Sequence, residues 1–258
     1  MAAERSTVKT SEDAVLGGRL RLRQPRSGHR VGHDAILLAA ATSAQAGEQA
    51  VDLGAGVGAA GLALAVRVAG LNVTLVEIDQ ALCALATDNA LLNRLDGRVR
   101  VLGADAENPQ KLAAAGLSPG SIDRVLMNPP FNDAVRQNVS PDPRRRLAHA
   151  GGPDLLPRWV ATAATLLKPQ GVLTLIWRAD ALPAVLSALK PEFGSIGVLP
   201  VHPRPSIPAI RVLVRAVKAG KAKLFDCPGL TLNDEHGQPT ADAEAVLRDG
   251  ETLTLAES

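Results

Sequence analysis

Tyrosine is absent from this 258-residue chain, and phenylalanine and tryptophan number only three and two. With so few aromatics, one that falls inside a motif carries information. Two cysteines, Cys83 and Cys227, are too few for a disulfide framework and are not spaced as a zinc pair. The five histidines form neither HxH nor HExxH, so no metal site is expected and metal-dependent hydrolysis is disfavoured. No apolar run approaches the roughly 20 residues that cross a bilayer. The opening stretch MAAERSTVKTSEDAV lacks the apolar centre of a signal peptide and mixes acids with bases, so a soluble cytoplasmic protein without membrane association is expected.

What is present is a globular composition, 46% hydrophobic and 21% charged, in a chain long enough for one main domain with a substantial core. The net charge of +2 conceals an asymmetry: residues 226–258 hold eight acids against one arginine, leaving +9 for the rest. Basic residues gather at Arg19, Arg21, Arg23, Arg26 and Arg30, at Arg136 and Arg144 to Arg146, and from Arg204 to Lys223, where no acid intervenes. Such patches suit a polyanion such as RNA, though they also describe an ordinary solvated surface.

The order of apolar segments sets the fold class. Residues 18–23 alternate basic and apolar with period two, as a half-buried strand does, and a helix is expected from Asp34, whose carboxylate can cap residues 35–42. Strand and helix patterns then alternate: strands at 50–53, 73–78, 99–102 and 122–127, helices at 58–69 and 80–95. A helix at 155–167, a strand at 172–177, a helix at 182–189 and strands at 195–199 and 210–217 follow. This predicts right-handed βαβ units in an α/β, doubly wound, mostly parallel sheet of about seven strands. The expected division is a basic N-terminal segment, 1–47, a main domain, 48–225, and a small acidic appendage, 226–258, with hairpin and short-helix character.

Val51-Asp-Leu-Gly-Ala-Gly-Val-Gly58 lies where the first core strand turns into a helix, the place at which open α/β sheets bind ligands. Gly54 and Gly56 let a ligand approach the backbone around Ala55. The overlapping Gly56-Val-Gly58-Ala-Ala-Gly61 also fits the dinucleotide pattern GxGxxG, which keeps a nucleotide-dependent oxidoreductase in view. Three acids bear on the choice. Asp52 can orient the loop and meet a cationic amino-acid group, a position where dinucleotide sites rarely place an acid. Glu77, with Ile78 beside it, ends the next strand, where a carboxylate can accept both ribose hydroxyls. Asp105 follows the third strand and can accept from an adenine amino group, with the Ala106 N–H facing the ring edge. Asp79 and Asp105, taken singly, also read as ordinary helix caps.

Asn128-Pro129-Pro130-Phe131 ends the fourth strand on the same edge. Two prolines fix φ and contribute carbonyls without N–H groups, giving a rigid array of acceptors that cannot continue as a central strand. The Asn128 side-chain oxygen and the Pro129 carbonyl can both accept from one NH2 group, while Phe131 stacks on the planar system that bears it.

Together, Asp52-Leu-Gly-Ala-Gly56, Glu77, Asp105 and Asn128-Pro-Pro-Phe131 resemble the N6-adenine and glutamine-N5 branch of class I S-adenosylmethionine-dependent methyltransferases, over roughly residues 48–180. Residues 24–39 resemble the segment before the cofactor loop in the tRNA adenine-N6 methyltransferases that modify the adenine beside the anticodon of a valine tRNA, with Gly32-His33-Asp34 where a small polar residue is usual in the middle. The resemblance implies a Rossmann-like fold, S-adenosylmethionine as cofactor and RNA, most naturally tRNA, as partner. Arg30, Asp52, Gly54, Ala55, Gly56, Glu77, Ile78, Asp105, Ala106 and Asn128 would hold the cofactor, and Asn128, Pro129 and Phe131 would grip the acceptor. By the same resemblance residues 30–34 would close over the methionine part.

The release-factor glutamine methyltransferases share this grip, but usually carry a helical N-terminal domain and Tyr as the fourth motif residue; here about 47 residues precede the cofactor loop and the residue is Phe131. Guanine-N2 methyltransferases of ribosomal RNA share the motif too. An RNA-binding module with a vestigial cofactor fold is the non-enzymatic alternative. The segment 132–152 is expected to gate the acceptor pocket or touch phosphate, or else to be a solvated connection.

Overall fold

The computed structural model describes residues 9–26, 31–130 and 154–255. Its centre is a sheet of seven long strands: β3 (Gln49–Leu53), β4 (Asn72–Glu77), β5 (Val99–Gly103), β6 (Ile122–Met127), β7 (Leu167–Arg178), β8 (Phe193–His202) and β9 (Arg211–Lys218). Two-residue strands β10 (Phe225–Asp226) and β11 (Leu230–Thr231) both add to β8, in the spatial order β10-β8-β9-β7-β6-β3-β4-β5. All pairings are parallel except those of β9 with β7 and β8. The doubly wound, mostly parallel α/β sheet read from the alternation is therefore the fold.

Among the described residues seven α-helices cover it: α1 (His33–Ala41), α2 (Ala59–Arg67), α3 (Gln80–Leu92), α4 (Pro109–Ala114), α5 (Leu155–Leu166), α6 (Leu182–Leu189) and α7 (Ala241–Leu247). One buried cluster joins α1, α2 and α3 to Leu75, Leu126, Ile176 and Leu213 on one face. The other joins α4, α5 and α6 to Val51, Val125, Leu173 and Val214. Alternate residues of each strand feed opposite clusters, as burial on both faces demands. No helix among the described residues is long and apolar enough to cross a membrane. Both cysteines are free and buried.

The basic alternation belongs to a hairpin, β1 (Thr10–Val15) with β2 (Leu20–Pro25), whose first strand the sequence pattern does not announce. Leu20 and Leu22 are buried in the core, and Arg21 and Arg23, which alternate with them, are exposed. Glu12 on β1 pairs with both Arg21 and Arg23, so part of this arginine face is neutralised within the hairpin. The free edge of β2 is held by two asparagines one turn apart, Asn89 on α3 and Asn93 at its C-cap. Arg21 N–H donates to Asn93 Oδ1 at 2.9 Å and Arg23 N–H to Asn89 Oδ1 at 2.7 Å, while each amide Nδ2 donates back to the same residue's carbonyl. Two side-chain amides thus substitute for a neighbouring strand, which satisfies an otherwise orphaned edge.

Helix α1 begins one residue before the expected Asp34. Gly32 is its N-cap and supplies no side-chain cap, so Asp34 lies inside the first turn, and its carboxylate bonds to Arg211 on β9 instead of to the helix. Residues 226–255 pack against the α1 face: α7 contacts α1, and Leu253 N–H donates to the Ala40 carbonyl.

Candidate active site

The sheet changes direction of winding between β3 and β6: β4 and β5 lie to one side of β3, and β6 and β7 to the other. Crevices form at the carboxyl ends of strands at such a switch. Leu53 stands opposite Met127 in the parallel pair, so the chain leaves both strands with Gly54 and Asn128 side by side. A cavity of about 440 Å3 opens there, with Asp52, Gly54, Ala55 and Asn128 in its wall. Val201, Ile210, Arg211 and Leu232 also line it, and residues 31–35 contribute the start of α1. That volume is in the range of small-molecule sites.

Gly54 has φ +70, and a Cβ there would lie 2.3 Å from the indole of Trp159, so both conformation and space require glycine. Trp159 comes from α5 on the far face of the sheet and seals the underside of the turn. The loop is tied to β4 by Ala55 N–H donating to the Val76 carbonyl at 2.9 Å and by Gly56 N–H donating to Glu77 Oε2 at 2.8 Å. Glu77 Oε1 accepts from the N–H groups of Ile78 and Asp79. Three backbone donors thus hold this carboxylate in place, and of roughly four acceptor positions one remains open.

Asp52 is almost completely buried and accepts the Gly61 N–H at 2.8 Å through Oδ2. Gly58, the N-cap of α2, supplies no side-chain cap, so Asp52 reaches from the strand to satisfy a first-turn amide. Burial, helped by the charge of Glu77 and opposed by the Gly61 bond, pushes the Asp52 carboxyl up to about 7. Such an acid is neutral or half-ionised at neutral pH unless a cation joins it.

Further along the edge, Ala104 N–H donates to the Glu77 carbonyl, and Asp105 Oδ1 accepts the Glu107 N–H at 2.9 Å. Asp105 does not cap α4; Asn108 does, through the Lys111 N–H. Asp79 caps α3 through the N–H groups of Ala81 and Leu82. Ala106 is buried, while Ile78 is half exposed, one of few large apolar side chains that are.

At the end of β6, Asn128 Oδ1 is buried and has no hydrogen-bond partner among the described residues; Trp159 Nε1 shares that state. An unmet buried acceptor costs on the order of 1–3 kcal/mol, so a native one in a cavity wall asks for a ligand. Pro129 is buried beside it. Phe131 and Arg30 lie outside the described residues, as do Arg136, Arg144 to Arg146 and the whole 132–152 segment.

Of the residues expected from sequence, Asp52, Gly54, Ala55 and Asn128 therefore meet at one cavity. Gly56 and Glu77 are bonded to one another beside it, and Ile78, Asp105 and Ala106 continue the same edge. Sequence reasoning did not single out Arg211, whose Nε donates to Asp34 Oδ2 at 2.9 Å in the cavity wall, nor Trp159. Arg211 was visible only as one base among six between 204 and 223. Trp159 was one of two tryptophans, with no motif around it.

A family model described as the methyltransferase small domain matches residues 27–202. The tRNA1(Val) (adenine(37)-N6)-methyltransferase of Bacteroides thetaiotaomicron is 29% identical over 160 residues, covering 62% of this chain. That match spans 64% of the relative's own length. The release factor glutamine methyltransferase of Chlorobaculum tepidum is 27% identical over 158 residues, 58% of this chain and 52% of that protein. Among solved structures, a predicted O-methyltransferase from Agrobacterium tumefaciens superposes with a TM-score of 0.72 at 28% identity, covering 87% of this chain and 99% of its own. The family match runs through the glycine turn, the acidic edge and the Asn128 corner without a break, and on that ground this chain belongs to the methyltransferase small domain family.

Proposed function

We propose that the chain transfers a methyl group from S-adenosylmethionine to the exocyclic N6 amino group of an adenine in RNA, with tRNA as the substrate. The observation that carries this is Asn128, which lines the same cavity as the glycine turn and whose buried Oδ1 has no partner among the described residues. The names of relatives such as the Bacteroides enzyme point to the same acceptor.

The residues present suit this cofactor. Asp52 is at most partly ionised at neutral pH, and an amino-acid ammonium group beside it would favour the charged form. Gly54, Ala55 and Gly56 form the backbone turn, Glu77 keeps one acceptor position for ribose, and Ile78, Asp105 and Ala106 offer an apolar face and polar contacts for adenine. We assign Arg30 to the same set and Phe131 to the acceptor side on sequence alone. The main domain is taken as residues 48–225, flanked by 1–47 and 226–258.

When bound, S-adenosylmethionine supplies an activated methyl carbon. The protein's task is then to prepare the nitrogen. An adenine amino group is a poor nucleophile because its lone pair is delocalised into the ring. With one N–H directed to Asn128 Oδ1 and the other to the Pro129 carbonyl, the nitrogen is drawn towards sp3 and its lone pair is freed. Position and desolvation supply most of the rate, and the proton leaves after transfer without a dedicated base. The adenine must arrive unstacked, which favours a loop of the RNA over a helix.

The Chlorobaculum relative favours a second reading, transfer to a glutamine side chain, because an amide presents the same NH2 group to the same acceptors. Titration calorimetry decides the cofactor: S-adenosylhomocysteine should bind and nicotinamide dinucleotides should not, and the reverse would remove this reading together with the family's chemistry. Transfer to unmodified tRNA should then fall by about two orders of magnitude or more in Asn128→Ala, the scale seen when a transition-state contact is lost. Unchanged transfer would refute the role of Asn128.

A further inference from the structure

The connection between β8 and β9, residues 203–210, stands at the carboxyl edge of the sheet, and its two ends contribute Val201, Ile210 and Arg211 to the cavity wall. Two of the five exposed large hydrophobic side chains among the described residues, Ile207 and Ile210, are on this one loop. Clustered apolar exposure beside a ligand cavity marks an interaction surface.

The loop is built to hold its shape. Pro203, Pro205 and Pro208 fix φ at three of its eight positions. Ile207 N–H donates to the Arg204 carbonyl at 3.3 Å, closing a turn with Pro205 second and Ser206, φ +60, third. That third position normally takes glycine, so Ser206 holds a conformation that its side chain resists. His202 Nδ1–H donates to the Ile207 carbonyl at 2.8 Å from below. The segment after β11 braces the root: Leu232 N–H donates to the His202 carbonyl, and both the N–H and Nδ2 of Asn233 donate to the Pro203 carbonyl. The acidic C-terminal region thus acts as a strut for a basic, apolar loop.

We propose that residues 203–210 form a preshaped docking element for the single-stranded RNA loop that carries the target base, with Ile207 and Ile210 lying against the faces of neighbouring bases and Arg204 on the backbone phosphate. This rests on the RNA reading above. A base that leaves its stack exposes the π-faces of its neighbours, and an apolar side chain at the cavity rim covers them; isoleucine is among the residues that fill such gaps. With no tyrosine in the chain, the surface is aliphatic. Charge selects a polyanion over a protein partner. Arg204 is ion-paired with none of the described residues, its guanidinium resting near Gly237, and from 204 to 223 the chain carries six basic residues and no acid.

The test uses the full chain, S-adenosylmethionine and unmodified tRNA, comparing wild type with Ile207→Ser, Ile207→Leu and Arg204→Ala. In Ile207→Ser the KM for tRNA should rise about tenfold with kcat within twofold, in line with the loss of a base contact. Ile207→Leu should stay near wild type, Arg204→Ala should lower the salt slope of binding by about one, and S-adenosylhomocysteine affinity should not move in any of them. Unchanged KM in both Ile207→Ser and Arg204→Ala, or a fall confined to kcat, would overturn the docking role while leaving the RNA reading intact. A change of sedimentation mass in Ile207→Ser would make the patch a contact between copies of the chain and overturn it equally. Wild type that binds S-adenosylhomocysteine but methylates only protein glutamine would instead remove the RNA reading, and this proposal with it.

Discussion

Replacing Asp52 with asparagine should stabilise the protein above neutral pH and do nothing for it in acid. The amide keeps an oxygen to accept the Gly61 N–H but carries no charge to bury. In the folded state the Asp52 carboxyl is raised to about 7 from its ordinary value of 3.8, chiefly by burial. Each pKa unit corresponds to about 1.4 kcal/mol, so a shift of about three units is worth on the order of 4 kcal/mol at full ionisation. The sign follows from which state holds the proton. Between about pH 4 and 7 the unfolded chain has released it and the folded chain has not, so stability falls as pH rises through this window and levels off above it. Urea unfolding of wild type and Asp52→Asn from pH 4 to 8.5 reads the difference directly. Asparagine should gain up to a few kcal/mol at pH 8 and nothing near pH 4. A gap that is constant with pH, or a variant less stable than wild type at pH 8, would show that the buried carboxyl is not under this strain. The gain should be bought with function, because Asp52 is the proposed partner of the cofactor's ammonium group.

The remaining predictions concern packing and binding. Gly54→Ala places a Cβ 2.3 Å from the Trp159 ring at a positive φ and should cost about 2–4 kcal/mol in urea unfolding; Trp159→Ala in the same chain should recover part of it, and strict additivity would refute the clash. Asn89→Ala strands the N–H and carbonyl of Arg23 and the carbonyl of Val57, and should cost about 3 kcal/mol with faster amide exchange at Arg23. At pH 6, S-adenosylhomocysteine binding should release a proton as Asp52 ionises beside the ligand's ammonium, visible as buffer-dependent calorimetric heat and absent in Asp52→Asn.

The parallel core was legible because strands buried on both faces read as short apolar runs and the helices between them carry their own period, so β3 to β9 fall where the pattern places them. Their ends were less so. β7 starts five residues before its apolar stretch, at Leu167, which pairs with Ile122 on β6, and β8 is longer because pairing with β9 takes in Phe193 and Gly194 at one end and Pro200 and Val201 at the other. Strand β1, Thr-Ser-Glu-Asp-Ala-Val, has no apolar alternation, and only pairing with β2 makes it a strand. Asp34 was misjudged as a cap because a local rule competes with a partner 177 residues away. At the site, motif residues announced themselves through turn chemistry. Arg211 and Trp159 arrive from later elements across the sheet, and only the folded chain shows that the first joins the cavity wall and the second packs against the glycine turn. Glu77 carried a further surprise: its three backbone bonds make it a brace of the loop as well as a candidate ribose ligand.

Methyl transfer to adenine in RNA can be read by incubating the purified chain with S-adenosylmethionine and unmodified tRNA, digesting the RNA and measuring methylated nucleosides by mass spectrometry. Wild type should yield N6-methyladenosine and Asn128→Ala should lose it; N2-methylguanosine, or methyl transfer only to a protein glutamine, would contradict the proposed function.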